Sequence, residues 1–441
     1  MPVEIDAVAS DPSLPSQTKV VVVGGGIIGA ATAYFLAEDG IPTLLCEKGV
    51  IAGEQSSRNW GWCRTMGRDP RELPLAIESL RLWREINARI GAEAGFRQTG
   101  TVYICPDAKT LAKREAWLPH AREHGLDCRL LRGREVNDVL QGAAESWLGA
   151  LYTPSDGVAE PSKAAPALAE AARRRGASIV TGCAVRGVEK SGGRISAVVT
   201  EKGTVACEAV VVAAGAWSSL FCRSQDLWLP QLKVLATVQR TGPVSGGPTP
   251  AAWGPGLALR KRLDGGYTVS HGSTIADVVP DSFRFLAPFF PVFRREHKDI
   301  RLRFGRPFLD EWRLQRPWRL DAASPFEKLR VLDPAPDSHD LAAARVNLER
   351  RFPVFGGVPT VATWAGLIDV TPDILPVIAP MEAVPGFYIS TGYSGHGFGI
   401  GLGAGRLTAD LVSGKTPIVD PAPYRFSRFT DGTRLEALTG L

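Results

Sequence analysis

The chain has no C-x-x-C pair. Its seven cysteines, Cys46, Cys63, Cys105, Cys128, Cys183, Cys207 and Cys222, are odd in number and scattered, which excludes a paired disulfide frame and a spaced zinc site. Such usage fits reduced thiols in a cytoplasm. A run of the ~20 apolar residues needed to span a bilayer is also missing. The opening MPVEIDAVASDPSLPSQT is polar and proline-bearing, without the charged-then-apolar order of a signal, so residues up to about Gln17 are expected to be a loose tail. The expected location is cytoplasmic, at most peripheral to the inner membrane. Basic runs interleaved with aromatics are absent and the formal charge of +5 is small for 441 residues, so nucleic acid is not an expected partner. His120 and His124 stand one helical turn apart with no third ligand nearby, so no metal is expected.

What remains is ordinary for a soluble globular protein, at 44% hydrophobic and 22% charged residues. On a prior of roughly 150 residues per domain, the length suggests two or three domains. The organising stretch is KVVVVGGGIIGAATAYFLAEDGIPTLLCEKGVIAG, Lys19 to Gly53. Val20 to Val23 is β-branched throughout, as a strand buried on both faces requires. Gly24, Gly26 and Gly29 then give the G-x-G-x-x-G spacing, for a tight turn, close approach to a pyrophosphate and close helix packing. A helix from Ile27 to Ala37 directs its amino end at the phosphates, and Glu47 ends a second strand, Thr43 to Cys46, where an acid meets an adenosine ribose. An acid there favours FAD or NAD over NADP.

The segment Gly53 to Arg64, GEQSSRNWGWCR, should lie along the cofactor, with Ser56, Ser57 and Arg58 at the pyrophosphate and Gly61, Trp62 and Cys63 toward the ring. The alternative is a loop packed by Trp60 and Trp62 with Arg58 in a salt bridge. Helices are predicted over Arg71 to Ile90, Lys109 to His124 and Ser162 to Gly176, and a strand over Gly100 to Cys105. Short strands at Ser178 to Thr181, Ala184 to Val188, Ile195 to Thr200 and Thr204 to Cys207 read as a meander. A buried strand, Ala209 to Val212, follows and runs into the small residues Ala213 to Gly215. Such an insertion is foreign to an NAD dehydrogenase domain. From Leu229 to Gly356 the texture suits an antiparallel sheet roofing a substrate pocket. Within it, Phe283 to Trp318 is dense in Phe and Arg and leaves two readings, plain packing, which is favoured, or contact with a membrane or partner. Strand-to-turn residues Gly386 to Gly392, the loop Tyr393 to Gly397 and a helix Gly399 to Val412 return to the nucleotide site.

The early fingerprint, the meander ending in VVVAAGAW and the late GYSGHGFGIGLGAGRLTADLVSG together resemble the FAD-dependent D-amino-acid oxidase and sarcosine oxidase superfamily over nearly the whole chain. More narrowly, EKGVIAGEQSSR, ISAVVTEKG and SPFEKLR are similar to bacterial membrane-associated L-amino-acid deaminases, whose amino-terminal anchor this sequence does not show. The resemblance implies an α/β fold in two bodies: a Rossmann-like FAD-binding domain with a β-meander (18–95, 155–228 and 360–430) and a mostly antiparallel substrate domain (96–154 and 229–359). It implies that Gly24, Gly26, Ile27, Ile28, Gly29 and Glu47 hold the ADP half of FAD, and Lys48, Ser56, Ser57 and Arg58 its phosphates. Val185 would meet the adenine, and Ala214, Gly215 and Trp217 the turn near the flavin, with Gly61 and Trp62 also beside the cofactor. Gly392, Ser394, Gly395, His396, Gly397 and Phe398 would line the ring. The stretch TWAGLIDVTPD lacks the tethering cysteine of sarcosine oxidase, so FAD is expected without a covalent link.

The implied reaction is oxidation of the C–N bond of an amino acid or N-substituted amino acid, with oxygen or a quinone as acceptor. Arg260 is similar to the deaminase arginine that pairs with the substrate carboxylate, which a planar guanidinium suits, although Arg260, Lys261 and Arg262 also read as a solvated basic run. Tyr393 would bound the pocket, and His396 and His271 are candidate proton handlers. A 2-hydroxy acid as substrate, and a non-catalytic flavin- or NAD-binding role, stay open at this point, as does the oligomeric state.

Overall fold

A computed structural model describes residues 3–296, 300–314 and 317–438. Val20–Val23 is the inner strand of a six-stranded sheet, ordered Val377–Pro380, Phe387–Thr391, Ala209–Val212, Val20–Val23, Thr43–Cys46, Ser178–Val180. The five strands from Phe387–Thr391 onward are mutually parallel, and Val377–Pro380 runs antiparallel at the edge. Alternate side chains of the valine strand enter different cores. Val20 and Val22 pack with the helices Ile27–Glu38, Leu73–Ile90, Pro161–Arg174 and Gly401–Ser413, whereas Val21 and Val23 pack with Val188, Ile195 and Val198 of the meander. A strand covered on both faces has no polar position, which is why all four residues are valine.

The helix Ile27–Glu38 crosses the end of that strand at a distance only glycine permits. A Cβ on Gly29 would lie 1.9 Å from the Gly24 carbonyl oxygen, and one on Gly405 would lie 2.4 Å from the Ala31 Cβ on the neighbouring helix. These contacts bring the amino end of Ile27–Glu38 and the loop before Gly401–Ser413 to the same side of the sheet.

The second body is a ten-stranded sheet, largely antiparallel, running through Leu232–Thr241, Tyr267–Ser270, Leu257–Lys261, Ala251–Gly254 and Thr101–Cys105. Four expectations are corrected. Thr360–Val370, assigned by sequence to the nucleotide body, pairs antiparallel with Leu232–Thr241 along its whole length; a strand's own pattern carries no mark of its partner. Ser178–Val180 joins the parallel sheet beside Thr43–Cys46, leaving a three-stranded meander of Val185–Ser191, Arg194–Thr200 and Gly203–Ala206. The helix over 109–124 is two, Ala108–Glu115 and Leu118–Glu123, because Pro119 cannot continue a helical hydrogen-bond ladder. The tail is pinned as well: the Asp6 and Asp11 amides donate to the Ser162 and Ile179 carbonyls, and Gln17 bridges to Ala206.

Gly405→Val is expected to cost about 1–3 kcal/mol by overpacking the helix crossing. Gly305→Ala, where a Cβ meets nothing closer than 3.8 Å, should change little. Urea unfolding of both variants measures the difference.

Candidate functional site

Where the amino end of Ile27–Glu38, the turn after Ala209–Val212 and the loop after Phe387–Thr391 meet, they enclose a cleft of about 1220 Å³, counting the solvent at its mouth. Its lining runs from Glu47 at one end to Tyr393 and Phe398 at the other, an elongated shape that suits a dinucleotide. At one end stands Glu47, half-buried. Its Oε2 accepts the Gly25 N–H at 2.7 Å and its Oε1 accepts the Gly49 N–H at 2.6 Å, while burial raises its pKa. Each oxygen keeps a second lone pair for a ribose hydroxyl. Ser56 Oγ accepts the Ile27 N–H at 2.8 Å, and a Cβ on Gly26 would stand 3.0 Å from that hydroxyl, so a side chain at this floor of the cleft would crowd it.

Lys48 lines the cleft, but its ammonium is fully engaged. It donates to Glu54 Oε1 at 2.7 Å and to the Leu329 and Arg330 carbonyls at 3.1 and 2.8 Å, and lies over the Trp217 ring. Glu54 also accepts from Trp217 Nε1 at 3.0 Å and the Leu332 amide at 3.0 Å. These bonds tie residues 324–333 across the cleft as a strap, with Phe326, Arg330 and Val331 on its inner side. Arg330 is held by Glu201 at 2.6 Å, and Glu327 by Arg186 at 2.9 Å. The Arg186 hydrogen bonds come first among the causes that lower Glu327 to about 2.

At the other end Asp369 is buried. Its Oδ2 accepts from the Gly392 amide at 2.8 Å, Gln231 Nε2 at 3.1 Å and Thr391 Oγ1 at 3.3 Å, its carbonyl accepts the Ser394 amide at 2.9 Å, and burial raises its pKa. Tyr393 shares a hydrogen bond with Ser390 Oγ at 2.8 Å, which in turn meets Thr408 Oγ1 at 2.8 Å.

Of the residues singled out from sequence, Gly24, Gly26, Ile27, Ile28, Glu47, Lys48, Ser56, Val185, Ala214, Gly215, Trp217, Tyr393, Gly395, Gly397 and Phe398 line this cleft. Others support its walls from behind. Gly29 is the helix contact, and Ser394, at φ 48°, accepts the Thr371 amide. Gly392 bonds to Asp369, and Ser57 donates to the Glu54 carbonyl. Arg58 follows the salt-bridge alternative: it is buried, bonds Asp333 at 2.6 Å and the Ala365 carbonyl at 2.9 Å, and does not line the cleft. Gly61 and Trp62 pack outside the cleft, where a Cβ on Gly61 would lie 3.0 Å from Arg260 Nε. Arg260 is neither solvated nor on the cleft wall. It is fully buried in a bidentate pair with Glu160, at 2.9 and 3.2 Å, and Nε is the edge left without a partner among the described residues.

His396 turns away from the cleft. Its Nδ1 is hydrogen-bonded to Glu72 Oε1 at 3.4 Å, and because a carboxylate only accepts, Nδ1 is the donor. Burial, then the nearby Arg68 cation, lowers the imidazole to about 4, so it is neutral at pH 7. His271 is beside Ser273, away from the cleft.

Reading the sequence missed Asp369, Glu54 and the strap. Asp369 had a signal, an acid in the apolar strand TWAGLIDV. The strap had none, since its role depends on distant partners.

The residues fit FAD. The Gly26 floor, the acid at one end and the small Ala213–Ala216 turn are what a dinucleotide would fill or satisfy.

The profile of the DAO family, described as FAD dependent oxidoreductase, matches residues 19–411. The fold is similar to L-amino acid deaminase from Proteus myxofaciens, in complex with anthranilate, at TM-score 0.93 and 34% identity, covering 98% of this chain and 97% of that one. L-amino acid deaminase from Proteus vulgaris gives 0.92 and 33%, with 97% and 100% covered. Glycine oxidase of Pseudomonas aeruginosa is 26% identical over 422 residues, 92% of this chain and 98% of its own. Mitochondrial sarcosine dehydrogenase of Mus musculus is 24% identical over 96% of this chain, but the chain spans only 43% of that protein.

Glu47→Gln places an N–H against one of two backbone N–H groups and is expected to weaken FAD binding about tenfold, or ~1.4 kcal/mol. Titration of the apoprotein by flavin fluorescence checks it. His396 faces Glu72, Arg68 and Arg64, and its folded pKa of about 4 lies below the ordinary 6.5. Its contribution to stability is therefore present above pH 6.5 and lost as pH falls toward 4. His396→Gln should flatten that limb of a melting-temperature profile.

Proposed function

Because this chain belongs to the DAO family of FAD-dependent oxidoreductases, we propose that it oxidises the C–N bond of an amino acid or N-substituted amino acid. The product is an imine, which water hydrolyses to a 2-oxo acid and ammonia or an amine. The observation that carries the reading is the single continuous cleft, with Glu47 at one end and the loop Tyr393–Phe398 at the other, in a fold similar to the Proteus deaminases.

FAD, when bound, supplies the two-electron acceptor that takes hydride from the α-carbon. The chain's own residues bind and orient. Glu47 and Gly26 would hold the ADP half, and the strap over Lys48 keeps water from that end. Cys46 and Cys183, the thiols on the cleft wall, belong to the nucleotide-end strand and to the turn beyond Ser178–Val180. The cofactor is proposed to be held without a covalent link, on the ground that TWAGLIDVTPD lacks a tethering cysteine. Tyr393 and Phe398 bound the ring end. Asp369 fixes Thr391 and Gly392 beneath it, so that the substrate's α-carbon meets a preset surface. No strong base is needed, since the amine only has to be uncharged.

Arg260 remains the candidate for the substrate carboxylate on the resemblance alone: it stands off the cleft wall, so reaching a substrate would require its pair with Glu160 to open. Because Glu160 already balances its charge, the contact would orient the substrate more than attract it. Arg260→Leu alone strands a buried carboxylate and is expected to cost about 3–5 kcal/mol. Replacing both partners, Arg260→Gln with Glu160→Gln, should retain the fold and raise KM more than it lowers kcat. An unchanged KM would remove Arg260 from the site.

The direct test is anaerobic mixing of the FAD-loaded protein with D- and L-amino acids, N-methyl amino acids and cyclic imino acids, following loss of the yellow colour. Bleaching by one class is expected. If dithionite bleaches the flavin and no amine does, the reading fails. Oxygen uptake against turnover with an artificial dye then separates an oxidase from a dehydrogenase passing electrons to a quinone.

A further inference from the structure

Two thiols on the cleft wall have no part in the proposed reaction, and the backbone sets them side by side. Cys46 ends the strand Thr43–Cys46 in register with Val180, and Cys183 lies three residues beyond that valine. The Glu47 amide donates to the Val180 carbonyl at 3.0 Å, the Cys183 amide to the Glu47 carbonyl at 2.8 Å, and the Gly182 amide to the Gly49 carbonyl at 3.0 Å. The turn that carries Cys183 is thereby clamped to the residues around Glu47. Cys46 and Cys183 are only 1% and 0% exposed, yet both line the cleft. A small reagent reaches them through the nucleotide end of the site.

Their side chains interact, and the interaction divides their acidities. Cys183 is the one thiol of the seven held below its ordinary pKa, first by the Cys46 side chain and then, against the effect of burial, by Thr200 and the Lys202 cation. The same contact and burial push Cys46 well up. Burial also pushes up Cys63, Cys105, Cys128, Cys207 and Cys222, which leaves them small apolar groups with little thiolate character. Around the pair stand Lys202 and Arg330 as cations and Glu201 and Glu47 as acids. A more acidic sulfur beside a second thiol is the arrangement of a redox pair, in which one sulfur is oxidised and the other resolves it.

We propose that Cys46 and Cys183 are a modification site, a dithiol that a peroxide closes to a disulfide, and that this bond and FAD oppose one another. The Cys183 sulfur attacks one oxygen of hydrogen peroxide as the O–O bond breaks, giving a sulfenic acid and, with the thiol proton, one water. The Cys46 sulfur then attacks the Cys183 sulfur, and the hydroxyl leaves with the Cys46 proton as a second water. Two thiols and one peroxide become one disulfide and two waters, two electrons passing from sulfur to oxygen.

Closing the bond draws the Cys183 turn toward Cys46, and three parts of the nucleotide-end wall hang on that turn. Glu47 is bonded to it through its carbonyl, and Val185 follows it by two residues. The Ala184 amide donates to Glu201 Oε1 at 2.6 Å, and Glu201 holds Arg330 of the strap. FAD in the cleft would in turn cover both sulfurs, and linkage makes the opposition reciprocal. The proposal rests on the FAD site and not on which amine is oxidised.

The test treats the full chain with hydrogen peroxide, with and without saturating FAD, followed by alkylation, digestion and mass spectrometry. The apoprotein is expected to lose two hydrogens and to yield peptides joined through Cys46 and Cys183, which dithiothreitol separates. Saturating FAD should slow the joining about tenfold, and the oxidised apoprotein should bind FAD about tenfold more weakly in a flavin-fluorescence titration, recovering on reduction. Cys46→Ser and Cys183→Ser should each show the same FAD affinity before and after peroxide, and the readouts on the unsubstituted chain decide the matter if either variant folds poorly. Peptides joined through other cysteines, oxygen adducts at Cys183 without the link, an equal rate with FAD bound, or an unaltered FAD affinity of the linked protein would each overturn the proposal.

Discussion

The contact on which the rest of the structure depends is the one between the Gly24 carbonyl and the Cα of Gly29, where no side chain fits. It sets the helix Ile27–Glu38 hard against the end of the valine strand, with its amino end on the cleft. The packing of Gly405 against Ala31 carries the same closeness to the Gly401–Ser413 helix and thus brings the Tyr393–Phe398 loop round to the cleft. One end of the site is built by residues near 25 and the other by residues near 395. They share a cleft because two glycines allow three backbones to approach.

Burial then divides the polar groups by task. Glu47, half-buried, and Asp369, buried, are acids whose oxygens accept backbone N–H groups, so each fixes a turn as well as presenting an acceptor. Arg58, Arg260 and Lys48, the cations that sequence reasoning aimed at anionic groups of cofactor or substrate, are instead matched by protein carboxylates or carbonyls. The cost of leaving a buried charge without a partner explains why. On the proposed reading the nucleotide phosphates would fall chiefly to backbone N–H groups and the helix dipole, which need no counterion.

Much of this was legible because it is local. The valine strand, the glycine spacing, Glu47, the Ala213–Ala216 turn and the late glycine loop all declare themselves within a few residues, and the resemblance they support is the family to which the chain belongs. What escaped is non-local. Thr360–Val370 reads as a strand, but nothing in it names Leu232–Thr241 as its partner. The SPFEKLR strap lies far in sequence from Lys48, Glu54 and Glu201, which hold it, and Arg260 looks solvated until Glu160 is placed beside it. The Phe- and Arg-rich segment was ambiguous for a related reason. Its two apolar faces have the same composition, and only the fold decides which is covered.

The central claim is that the beginning, middle and end of the chain grip one FAD together. Amide hydrogen exchange on the apoprotein, with and without FAD, tests it most directly. Addition of FAD should slow exchange at Gly24–Ile28, Ala213–Trp217 and Tyr393–Phe398 in parallel, with a single midpoint. Protection confined to the first of these, or midpoints that differ among the three, would contradict the claim.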